Sequence, residues 1–172
     1  MTITVRRFLA SEWRTYRDLR LSALAESPDA FGSTHEREAS RDDADWEARL
    51  RDGAMSEAQL PLIALSGETP VGLAWARRDD HETTLAWVFQ VWVSPAHRGQ
   101  GVGRLLMKAV IAWARAEGIV TLRLGVTPSH PGAVQLYRRA GFTNAGEAEP
   151  LRPGSPVSCQ PMQLTLEPSP LE

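Results

Sequence analysis

Only one cysteine, Cys159, occurs in 172 residues. No internal disulfide can form, so the fold must rest on its core. The four histidines, His35, His81, His97 and His130, are scattered, and no HExxH or CxxC spacing is present. That leaves no metal-ligand motif, and no metal is expected. Long apolar runs are missing too: nothing approaches the roughly 20 residues of a membrane span. The opening MTITVRRFLASEW has no signal-peptide core, so a soluble, cytoplasmic protein without membrane partners is expected. An excess of positive charge is also lacking, with 19 basic against 21 acidic residues. This argues against binding dominated by nucleic-acid phosphates; pairs such as Arg6-Arg7 and Arg138-Arg139 do not amount to a basic stretch. Repeats and low-complexity tracts are absent.

What is present is ordinary globular composition, 42% hydrophobic and 23% charged. The length suits a single domain over 1–172. ITVRRFL alternates as a strand. Ser11 reads as the N-cap of a helix to Ala25, which SPDAFG then breaks at Pro28 and Gly32. A polar helical region follows from Thr34 to Arg51, anchored by Trp46 and Leu50. LPLIALSG, TPVGLAWARRDD and TTLAWVFQVWV read as an antiparallel meander. In the last of these, Trp87, Phe89, Val91 and Val93 form an apolar parity suited to the core, and Ala86, Val88, Gln90 and Trp92 a mixed parity that could face a cleft. A helix from Gly101 to Gly118, a strand IVTLRLGV, a short helix over 131–140, and strands over 142–147 and 161–167 complete the chain, with EPLRPGSPVSC as the final loop. This order predicts a mixed α/β (α+β) fold, a mostly antiparallel sheet flanked by helices, not a doubly wound repeat.

The most informative stretch is VSPAHRGQGVGRLLMKAVIAWA, from Val93. Glycines at 99, 101 and 103 permit φ > 0 and close approach to bare backbone. Val102, Leu105, Leu106, Ala109, Val110 and Trp113 then follow the spacing of a core-facing helix. The glycines therefore open a helix N-terminus, where free N–H groups and the dipole favour an anion such as phosphate. Arg98, Arg104 and Lys108 add charge. A Walker A loop is excluded, since no Gly-Lys-Ser/Thr occurs. A Rossmann fingerprint fails as well, because Arg104 stands at its third glycine position. A plain connecting turn needs neither three glycines nor flanking arginines.

Arg98-x-x-Gly101-x-Gly103, the surrounding VWVSPAHRGQGVGRLLMKAVIAWARAEG and the later AVQLYRRAGF resemble motifs of the GNAT superfamily of acyl-CoA-dependent N-acyltransferases, in matching order and spacing. The resemblance implies a GNAT-type fold, acetyl-CoA as cosubstrate and direct transfer of acetyl to a primary amine. The acceptor is left open between a small molecule and a peptide, and a homodimer is a common family assembly. It implies that the diphosphate rests on the backbone of Arg98, Gly99, Gln100, Gly101, Val102, Gly103 and Arg104. It implies that pantetheine pairs with Val91, Trp92 and Val93, with a backbone N–H near Val91 as an oxyanion donor. Tyr137 matches the tyrosine that protonates the departing thiolate; a phenol near pKa ~10 is suited to this. Phe31 and Gly32, in the loop after the first helix, are implied to border the acceptor, with Gln90 a further candidate. Trp75 and Trp92 read either as pocket walls or as core.

Two positions depart from the family pattern. His130 stands where an Asn is common; either it contacts pantetheine, or Ser129 or His130 caps the next helix. No carboxylate lies between Thr83 and Val93, so the base is a water chain, or Asp80, His81 or Glu82, or is dispensable for a weakly basic acceptor. These departures also motivate an alternative, a non-catalytic acyl-CoA-binding or sensor domain. Cys159 lies far in sequence from the motifs and is not expected to be a nucleophile.

Overall fold

The structure is a computed structural model describing residues 2–167; residues 1 and 168–172 of the expected 1–172 domain lie outside the described residues. β2 (Gln59–Ser66), β3 (Thr69–Arg78) and β4 (Leu85–Val93) pair antiparallel in that order, as the meander predicts, and the alternating strand β1 (Ile3–Arg7) adds antiparallel to β2. β4 then pairs in parallel with β5 (Thr121–Val126). A parallel step needs a crossover, which α4 (Val102–Ala116) supplies. β5 pairs antiparallel with β8 (Ser158–Thr165), and the two-residue strands β6 (Thr143–Asn144) and β7 (Glu149–Pro150) also pair with β8. The tail strands thus differ from expectation: β6 is short, and β8 begins inside the expected loop.

Helices cover both faces. α1 (Trp13–Glu26) and α3 (Asp43–Ala54) enclose one core with Phe8, Ile63, Leu73, Trp75 and Trp92. α4 lies on the other face, with α5 (Pro131–Ala140) beside it. Within the first core the Tyr16 ring meets Phe8 and Trp46 edge-on, each at 5.7 Å. The polar region 34–51 splits into α2 (His35–Ala39) and α3. The Asp42 carboxylate causes the restart by accepting the Asp45 N–H at 2.8 Å. Trp46 and Leu50 are fully buried, as expected. Ser11 is not the cap of α1; it lies in a 3-10 turn, Ala10–Glu12. Glu12 instead accepts the Leu9 N–H at 2.7 Å and binds Arg6 at 2.8 and 2.9 Å. On α4, Leu105 is exposed and Met107 buried, so the apolar stripe is rotated from the expected one.

The β4 parity also needs correction. Ala86 and Val88 are buried on the α4 side, while Trp87 is 38% exposed. A sheet covered on both faces has no single core parity. Phe89 packs on the α1 side, and Trp87 donates its Nε1–H to the Asp79 carboxylate at 3.0 Å. Beyond Gln90 the sense reverses: Val91 and Val93 pack on the α4 core and Trp92 on the other.

Candidate active site

That reversal is a β-bulge. Trp75 faces Phe89 and Leu73 faces Trp92, so two steps on β3 match three on β4. Gln90 and Val91 have no register partner on β3. Gln90 has φ +56°, the one non-glycine residue with positive φ among the described residues. Such a backbone costs roughly 1–2 kcal/mol. A hydrogen bond from the Tyr16 hydroxyl to Gln90 Oε1, 2.7 Å, holds the side chain. Bulges bend their strand and expose an unpaired residue. β4 also leaves β5: their register ends at Trp87–Arg123, although the strands continue to Val93 and Val126. The edge of β4 that carries Val91, Trp92 and Val93 therefore opens into a gap in the sheet.

At that end of β4 the chain turns into α4. Gly99 and Gly101 have φ +77° and +83°, and a Cβ added to either would meet nothing within 4 Å. Gly101 is the N-cap and brings no side-chain cap, so no cap takes up the first N–H groups of α4. Gly103 has another reason: its Cβ would lie 3.0 Å from Leu136, so its lack of a side chain lets α5 approach α4. Val102 is buried and offers only backbone to the turn, while Gln100 and Arg104 are exposed.

Arg98 is committed elsewhere than the sequence suggests. Its Nε donates to the Val93 carbonyl at 3.0 Å, and Nη1 and Nη2 donate to Glu26 at 3.2 and 2.7 Å. Glu26 also accepts from Trp92 Nε1 at 2.9 Å and from the Ser27 hydroxyl. The Arg98 hydrogen bonds are the chief reason that the Glu26 carboxyl is held down to about 2.

On α5, Tyr137 is buried in the same core against which Val91 and Val93 pack. Its ring meets Phe142 edge-on at 5.9 Å. Burial pushes the phenol well above its ordinary value, so it stays protonated. His130 occupies the N-cap position of α5, but no side chain caps this helix. The His130 carbonyl accepts the Ala133 and Val134 N–H groups at 3.1 and 3.2 Å, and the imidazole is left half-buried and outside the cap.

The loop Ser27–Thr34 carries a buried Phe31 and an exposed Gly32. Thr127 Oγ1 donates to the Asp29 carbonyl at 2.7 Å, and Arg152 Nη1 donates to the Phe31 carbonyl at 2.9 Å. These bonds tie the loop to the end of β5 and to the segment before β8. Trp75 and Trp92 are core residues, with Trp75 Nε1 bonded to Gln59 at 3.0 Å. Asp80, His81 and Glu82 lie in the turn before β4. From Leu85 to Gln90 the strand runs about 17 Å, so these groups do not reach the bulge. Sequence reasoning missed Tyr16, Glu26, Thr127 and Arg152, whose partners are remote in sequence. It also missed Arg20, which one signal marks: a charge inside the apolar stripe of α1.

Bulge, parted strands, glycine turn and a buried tyrosine on the following helix occur together, and a model of the Acetyltransferase (GNAT) family matches residues 16–142. The chain belongs to the GNAT acetyltransferase family. It is 34% identical over 120 residues to streptothricin acetyltransferase of Streptomyces lavendulae, covering 69% of this chain and 56% of that protein. The GNAT fold here superposes on an acetyltransferase of the family from Streptococcus pneumoniae with TM-score 0.82, 20% identity, and 96% and 100% of the two chains covered. It superposes on yncA of Salmonella typhimurium, solved with its cofactor acetyl-CoA, with TM-score 0.80, 20% identity, and 100% and 98% covered. The chain spans about half the length of the curated relatives it matches. Among the described residues no helix is long and apolar enough to cross a membrane.

Proposed function

We propose that this GNAT chain, acting as one domain, transfers an acetyl group from acetyl-CoA to the primary amine of a small molecule, with both substrates bound together. The observation that carries this reading is the convergence of the Gln90 bulge, the β4–β5 gap and the open glycine turn at one end of the sheet. The name of the streptothricin relative supports a small-molecule acceptor.

Acetyl-CoA supplies an activated thioester and a diphosphate anion. The residues present fit it: the space over Gly99 and Gly101 is what a Cβ would fill. The backbone from Arg98 to Arg104 binds the diphosphate through free N–H groups and the α4 dipole. Arg104 adds positive charge, while Arg98 fixes the turn rather than meeting the anion. The edge of β4 at Val91 and Trp92 binds the pantetheine arm as a strand would. The Val91 N–H, freed from the ladder by the bulge, polarises the acyl oxygen.

Tyr137 supplies a proton to the departing sulfur. Burial raises its phenol and so keeps the proton on Tyr137 until a thiolate departs. In the net exchange an N–C bond forms as the C–S bond breaks. The sulfur takes the Tyr137 proton, the amine loses its extra proton to water, and solvent reprotonates Tyr137. No protein carboxylate is assigned as base, because Glu26, held down to about 2 by Arg98, is too weak a proton acceptor and the 80–82 turn is remote. Rate then comes mainly from positioning and polarisation. Mass spectrometry of amines incubated with acetyl-CoA and protein tests the reading. An N-acetyl product is expected; no product across a broad amine panel, with no acetyl-CoA-induced rise in melting temperature, would sink it.

A further inference from the structure

The buried stripe of α1 runs through Trp13, Tyr16, Leu19, Ala23 and Leu24, yet it contains a cation, Arg20, only 5% exposed. Arginine is almost never buried so deeply without a partner, because an unpaired buried charge is costly. Arg20 Nε and Nη1 are nevertheless buried with no hydrogen-bond partner among the described residues. The guanidinium carbon lies 4.7 Å from the centre of the Phe31 ring, a cation–π contact that uses none of its N–H groups.

The surrounding charges do not supply the missing partner. Glu38 exerts an attraction on Arg20, but its oxygens are already engaged. Oε1 accepts from the Ser33 hydroxyl at 2.7 Å, and Oε2 from Arg41 at 2.7 Å and Arg49 at 3.2 Å. Arg41 also binds Asp45 at 2.7 Å. Arg20, Arg41 and Arg49 thus stand against Glu38 and Asp45, one negative charge short.

The place of the shortfall gives it meaning. Tyr16 lies one turn before Arg20, about 6 Å away on the same helix face, and its hydroxyl holds Gln90 at the bulge. Phe31 belongs to the loop Ser27–Thr34. Arg20 therefore stands between that loop and the bulge at which the acyl group is placed above.

We propose that Arg20 receives a carboxylate of the acceptor, so that the amine acetylated is a compact amino acid with its carboxylate a few bonds from the reacting nitrogen. A planar guanidinium suits a planar carboxylate, and the anion completes the charge of the cluster. The proposal rests on the acetyl-transfer reading.

The test uses L-methionine, L-phenylalanine, L-glutamate, β-alanine and γ-aminobutyrate, each beside its carboxamide. Acetylation rates are measured with acetyl-CoA, and binding by calorimetry with CoA present. Wild type is expected to favour at least one carboxylate over its carboxamide by about 100-fold in kcat/KM. Arg20→Met should abolish that preference, and Arg20→Lys should retain part of it. A merely structural Arg20 would change both members of a pair alike. If Arg20→Met does not fold, the wild-type pairs and Arg20→Lys still decide. Equal use of carboxylates and carboxamides, or no binding of any carboxylate probe, overturns the proposal. Carboxylate binding that is lost in the Arg20 variants, without acetyl transfer, would uphold the anion site and sink the transfer reading. Transfer only to amines lacking a carboxylate would do the reverse.

Discussion

Glu26 and Arg98, 72 residues apart in sequence, are joined by two hydrogen bonds of 2.7 and 3.2 Å. The last residue of α1 thereby holds the first residue of the glycine turn. A third bond, from Arg98 Nε to the Val93 carbonyl at 3.0 Å, adds the end of β4. Three segments that build the site meet at one guanidinium.

Glu26→Gln should weaken this junction. Both side chains are partly solvent-exposed, so the ion pair is worth about 1 kcal/mol at most. Glu26 titrates at about 2 in the folded protein, below its ordinary 4.5. Its contribution is therefore complete above pH 4.5 and is lost as pH falls toward 2. Urea melts of wild type and Glu26→Gln should differ by a constant amount above pH 5 and converge below pH 4.5. A difference that grows on acidification would contradict the assignment.

Gly101→Val should nearly abolish acetyl-CoA binding in calorimetry. The residue sits at φ +83° with open space above it, where a side chain both strains the backbone by about 1–2 kcal/mol and fills the cradle. Gly103→Ala should act differently, pressing on Leu136 at 3.0 Å and lowering stability more than affinity.

Gly53→Ala should cost about 2 kcal/mol in a denaturant melt. Its Cβ would fall 2.2 Å from Trp75, an indole held between Tyr16 at 5.3 Å and Phe89 at 6.2 Å. A neutral outcome would mean that α3 packs on the sheet less tightly than described.

The glycine turn was legible because its signal is local: three glycines and two arginines within the twelve residues 93–104, running straight into a helical stripe. The element order was legible for the same reason. The β4 parity was not, because the bulge at Gln90 depends on register with β3 and on the Tyr16 hydroxyl, neither of which leaves a periodic trace. The split between α2 and α3 has a local cause in Asp42, but high charge throughout the region masked it. Arg98 illustrates the remaining gap. Its motif position points to phosphate, while its side chain answers to Glu26, a partner 72 residues away in sequence.

Tyr137→Phe gives the most direct test of acetyl transfer by this site. The ring contact with Phe142 and the fold survive the change, while the hydroxyl proposed to protonate the sulfur is removed. Free-thiol release from acetyl-CoA, measured with a productive amine, should fall about 100-fold in kcat, with acetyl-CoA affinity unchanged by calorimetry. Wild-type turnover in the variant would contradict the account.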